Sequence, residues 1–154
     1  MIDAQLIIII VDVLLLAYMY HKYKRGIGQE LVIAAIIAFA WVSYSQIYIY
    51  KDINYLFLGI NLFPFIAWTG GLVFLRERYE RATGKNKFRD ISICFIISII
   101  IAEYVGYNYF NIQLASSFPG LFGLPLLHAP LFGKIYYLTI GPVYLLITDY
   151  LGVK

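Results

Sequence analysis

Residues 91–110 read ISICFIISIIIAEYVGYNYF, twenty positions with a single charged side chain, Glu103. A helix rises about 1.5 Å per residue, so such a run spans about 30 Å, the thickness of bilayer hydrocarbon. Four further stretches of the chain have the same character: 4–20, 31–50, 54–75 and 131–150. Composition agrees with that reading. Only 14% of the 154 residues are charged, 62% are hydrophobic and the mean hydropathy is +0.77. A water-soluble domain needs about a quarter of its residues charged. The expected fold is therefore all-α, an integral membrane bundle of five transmembrane helices forming one domain over residues 1–154, multi-pass in the cell membrane.

Charge placement sets the expected orientation, because Lys and Arg near span ends are retained in the cytoplasm. Lys22, Lys24, Arg25, Arg76, Arg78, Arg81, Lys85, Lys87, Arg89 and Lys154 fall on one side, and only Lys51 and Lys134 on the other. That bias predicts an outside N-terminus and a cytoplasmic C-terminus, the parity that five spans require. The opening MIDAQL has Asp3 where a signal peptide has positive charge, and no small-residue cleavage site precedes the basic cluster, so the first segment is expected to stay as a helix. Within RERYERATGKNKFRD, residues 76–90, acidic residues interrupt the basic run. It reads as a juxtamembrane signal that contacts anionic lipid heads rather than nucleic acid. Glu77 and Arg81 have the spacing of an exposed i,i+4 pair.

The single cysteine, Cys94, and two distant histidines exclude disulfides and leave little material for a metal or haem centre, so no cofactor is expected. No nucleotide-binding loop, serine nucleophile elbow or HExxH helix is present.

Ionisable groups inside spans cost about 2.5 to 3.5 kcal/mol each on insertion scales and mark function or partnership. Asp12 and Glu103 each fall roughly 10 to 12 Å below the outer boundary, Asn61 roughly 10 Å and Gln46 roughly 6 Å. Asp12 and Glu103 are thus expected to approach each other across the bundle. Asn54, Asn61 and Trp68 share a spacing of seven, which predicts one inward stripe. Gly70, Gly71 and Gly106 mark places where helices can pack closely. Pro64, in GINLFPF, and Pro142, in TIGPVY, predict kinks in the third and fifth spans.

The outer connection NIQLASSFPGLFGLPLLHAP, residues 111–130, is too greasy for free solution and too rich in Pro and Gly for a span. It reads as an interfacial or re-entrant segment, either a lid or a loop resting on lipid heads. His128 lies in it, and Lys134, just beyond, either snorkels or reaches toward Glu103. Tyrosine occurs 15 times, with an excess at outer span ends that includes Tyr107. A belt at both interfaces accounts for much of this, and a cavity with an aromatic rim for the rest.

The candidate ligand-binding residues are therefore Asp12, Gln46, Asn61, Glu103, Tyr107, His128 and Lys134. Three functions fit. The first is a module that binds a hydrophobic or lipid-like molecule, or that docks a membrane partner subunit or a second copy of itself. The second is a membrane enzyme acting on an isoprenoid or other lipid, with Glu103, Asp12 and His128 as acid and base. The third is a proton or cation transport component, though no matching acid lies in the inner half of spans two to four. EYVG, from Glu103, followed by FGLPLL before the last span resembles the intramembrane Glu and Gly-Pro turn of the small membrane enzymes of carotenoid modification, which implies lipid chemistry at Glu103. Where the cyclases of that group carry paired acids after the proline, this chain has Leu126, Leu127 and His128.

Overall fold

The computed structural model describes residues 3–22, 27–45 and 47–153. Gln46, Lys24, Arg25 and Lys154 lie outside them. Five α-helices are formed: α1 Ala4–Lys22, α2 Gly28–Ser45, α3 Leu62–Arg81, α4 Lys87–Tyr109 and α5 Leu131–Tyr150. α1 and α5 are long and apolar enough to cross a membrane, while the apolar stretch of α2, Gly28–Tyr44, is shorter.

α3 is the hub, packing against each of the other four helices. The α2 contact is the most extensive. Ala34 and Ala38, both with no exposed surface, lie one turn apart on the face of α2 that adds to the core and let two backbones approach closely. α1 stands at the edge, burying only Gln5 and Met19. It starts where Asp3 Oδ1 accepts from the amide of Gln5 at 3.0 Å, an N-cap bond that satisfies a free helix-end donor.

Helices two and three differ from expectation at one end of the bundle. α2 stops at Ser45, and residues 47–50 run extended, with Tyr48 and Tyr50 buried and Ile49 exposed. That alternation is the strand period, and IYIY is made of β-favouring types. This stretch pairs with the segment after α4: Tyr50 bridges Leu114, Ala115 N donates to Ile49 O at 2.6 Å and Lys51 N to Gln113 O at 3.0 Å. A short hairpin follows, β1 Leu56–Phe57 and β2 Ile60–Asn61, turning through Leu58 and Gly59 at φ 50° and 80°. Both central residues have positive φ, the requirement of the tight turn that matches strand twist, which favours glycine.

α3 therefore begins at Leu62 and not near residue 54. Asn61 is its N-cap, accepting from Phe63 N at 3.1 Å. Pro64 lies in the first helical turn, where its missing N–H has no partner to lose, so the kink expected at Pro64 is absent. Pro142 does lie inside α5. Beside it, Gly141 faces the ring of Phe95 so closely that a Cβ would stand 2.3 Å from Phe95 Cδ1. α4 and α5 cross there because glycine has no side chain.

At the opposite end Arg76, only 2% exposed, pairs with Asp149 and with Glu80 at 2.5 Å, and donates to Val153 O at 2.6 Å. Tyr79 Oη donates to Asp149 Oδ2 at 2.9 Å. The Glu77 and Arg81 pair forms, but Glu77 is buried rather than exposed.

Candidate functional site

Glu103, two turns before the end of α4, organises the outer loop. Its Oε2 accepts from Leu127 N at 2.7 Å, and its Oε1 from His128 N at 2.8 Å and His128 Nδ1 at 2.7 Å. Leu127 is fully buried and adopts φ 53°, so the loop presents successive amides to the carboxylate from a left-handed corner. The His128 ring stacks on Tyr107, one turn beyond Glu103, with centroids 3.8 Å apart. Glu103, Tyr107 and His128 are therefore brought together. A carboxylate bonded to Nδ1 fixes the orientation of the imidazole ring, as in acid–base pairs.

Lys134 reaches neither the interface nor Glu103. It is buried, and its Nζ donates to Pro119 O at 2.7 Å and Gly120 O at 3.1 Å. Those carbonyls begin a tight loop in which Leu121 N donates to Leu126 O at 2.6 Å around a single 3₁₀ turn, Leu121–Gly123. A Cβ on Gly120 would stand 1.7 Å from Leu124 O, so no other residue fits. The loop is held by Glu103 at one point and Lys134 at another, leaving Phe122 93% exposed at its tip.

Asp12 does not join this group. It packs against Gly70 of α3, where a Cβ would lie 3.6 Å from Asp12 Cβ. Among the described residues its carboxylate has no hydrogen bond or ion pair, and its contact is with α3, not with Glu103. Depth alone matched the two acids. α1 packs on α3, and α4 on α3 and α5, and among the described residues no bond joins Asp12 to Glu103. Asn61 is also engaged elsewhere: its amide donates to Tyr48 O at 2.9 Å and to Asn54 Oδ1 at 3.1 Å. Asn54 and Asn61 meet, but through the hairpin and not along a helical stripe. In the same outer connection Tyr55 donates to Asp3, and that bond holds the phenol proton above its ordinary range.

An aromatic cluster joins α2, α3 and α5. Trp41 stacks on Tyr136 at 3.8 Å, Trp68 meets Tyr136 edge-on and Tyr137 at a tilt, and Trp41 Nε1 donates to Tyr48 Oη. Beside it lies a groove of about 760 Å³ between α3 and α4. Tyr48, Tyr50, Tyr137 and Glu103 line its outer-loop end, Trp68, Gly71 and Ser98 its middle, and Arg78 its far end. No residue of 111–130 lines it, so this groove is not roofed by the loop as expected; it opens between the two helices. Its cause is sequence-local: Gly71 projects nothing into it, and a Cβ there would meet no atom within 4 Å.

The reading from sequence missed Arg78 and the Arg76, Tyr79 and Asp149 cluster. Asp149 sits one residue from the end of α5, and an acid there beside the basic side of the chain was the available signal. The alternation of IYIY likewise signalled the extended segment that places Tyr48 and Tyr50 at the groove.

No protein-family model, curated protein or solved structure matches this chain.

Proposed function

We propose that the chain is a five-span membrane protein, N-terminus outside and C-terminus cytoplasmic, that holds a lipid-like molecule in the groove between α3 and α4. The observation that carries this reading is the groove itself. Its volume lies within the roughly 300 to 1,000 Å³ of small-molecule sites, and apolar walls with a few polar groups at the ends are what such a ligand requires. The membrane setting is supported by α1, where Leu6, Ile10, Val11, Leu14 and Tyr18 are all exposed; water would be a poor solvent for that helix, and lipid a good one. Leu56, Phe57 and Leu58 of the hairpin and Phe122 of the loop are exposed at the same end and suit a headgroup boundary.

Native mass spectrometry of gently extracted protein tests the reading. Retained lipid is expected, and replacing Gly71 with Phe, which fills the groove, is expected to abolish it. A stoichiometric protein subunit retained in place of lipid, or undiminished lipid on the filled variant, would overturn it.

A second reading, chemistry on the bound lipid, is favoured by one observation: the Glu103 carboxylate lines the groove and orients His128. In that reading Glu103 and His128 exchange the proton, and Asp12, bonded to neither, takes no part.

A further inference from the structure

The groove carries opposite charges at its two ends, Arg78 at one and Glu103 at the other. On the last turns of α3, Arg76 is paired with Asp149 and Glu80, and Arg81 with Glu77. Arg78 lines the groove and is exposed, and among the described residues its guanidinium has no hydrogen bond, ion pair or ring contact. At the other end the charge is Glu103, whose oxygens already serve Leu127 and His128 and would repel an anion. Between Phe63 and Arg78 the α3 wall runs for about 22 Å at about 1.5 Å per residue, a trough suited to one extended chain.

We infer that the occupant is a phospholipid of net negative charge, its headgroup phosphate at Arg78 and one chain along the α3 wall toward Phe63 and Trp68. This rests on the groove being a lipid site, and adds to it the charge of the lipid and its direction. Arg presents parallel N–H donors that match phosphate oxygens, and one basic residue near a membrane surface favours an anionic over a zwitterionic headgroup by about fivefold.

Trp68 in the groove wall supplies the readout. In the Trp41→Phe variant it is the remaining indole, and lipids brominated on their chains quench it on contact. In nanodiscs, brominated phosphatidylglycerol is expected to compete for the Trp68 site about fivefold better than brominated phosphatidylcholine, and Arg78→Gln is expected to bring that ratio to about one. Lack of preference in the parent, or preference kept in Arg78→Gln, overturns the inference. Gly71→Phe separates the two levels. If it removes quenching by both lipids while Arg78→Gln leaves the preference intact, the groove holds lipid and the headgroup assignment fails; if it removes neither, the groove is not the site. Should Trp41→Phe lose the helical circular dichroism or elution volume of the parent, the ratio of the two lipids retained in native mass spectrometry decides the same question on the unmodified indoles.

Discussion

Glu103 illustrates how one side chain can fix twenty residues of irregular chain. Three donors from two consecutive loop residues converge on its carboxylate, and hydrogen bonds to a charged group contribute about 1.5 to 3 kcal/mol each. Because Glu103 retains some exposure, 18% at the side chain, the lower part of that range applies. Glu103→Gln keeps the shape but replaces the charge and one acceptor. Its expected effect is a rise of roughly tenfold in amide exchange at Leu127 and His128, with α1 and α2 amides unchanged; equal exchange in parent and variant would show that the loop holds itself. Lys134→Met tests the other tether. It removes the donors from Pro119 O and Gly120 O while keeping the buried stem, so faster exchange is expected at Leu121, whose amide closes the same loop. If exchange there is unaltered, the ammonium is not what holds the turn.

At the level of elements, what the sequence made legible was number and type, and what it concealed was where helix two stops and helix three starts. Five apolar runs became five helices because long apolar segments have few other ways to satisfy their backbones. The boundaries failed at 46–61 because IYIY and LFLGIN are apolar too, so hydropathy is continuous across a change of period from helical to two; only the alternation at Tyr48, Ile49 and Tyr50 and the Leu-Gly turn at 58–59 distinguish them. The contact between α4 and α5 also hangs on a residue whose meaning is tertiary. Gly141 faces Phe95 with no room for a methyl group, so Gly141→Ala is expected to push these helices apart and lower the thermal midpoint by a margin matching the roughly 1 to 3 kcal/mol of overpacking. Gly71→Ala, facing open space, provides the contrast, and equal melting of the two variants would contradict the packing account. Gly141→Ala combined with Phe95→Leu should recover part of the loss, since the smaller side chain vacates the space the methyl needs.

For the whole molecule, position along a helix is legible in the sequence and azimuth around the hub is not. Counting residues from span ends placed Asp12 and Glu103 at a similar level, but which face of the hub each helix occupies depends on packing against α3, where Gly70 receives Asp12 and Gly71 faces the groove. The same limit applies to charge. Arg76, counted as an orientation signal, is buried in an ion network with Asp149 and Glu80, whereas Arg78, Lys85 and Arg89 remain exposed at that end, where the proposed orientation needs positive charge. Orientation can be read out with cysteines. In a Cys94→Ser background, Ser116→Cys lies on the exposed outer loop and Lys85→Cys on the exposed connection between α3 and α4. A membrane-impermeant maleimide applied to intact cells is expected to label the first and to reach the second only after permeabilisation. Labelling of both in intact cells would overturn the five-span map, and labelling of Lys85→Cys alone would reverse the orientation and with it the leaflet from which a headgroup could meet Arg78, since that residue stands within one turn of the α3 end that carries the basic connection.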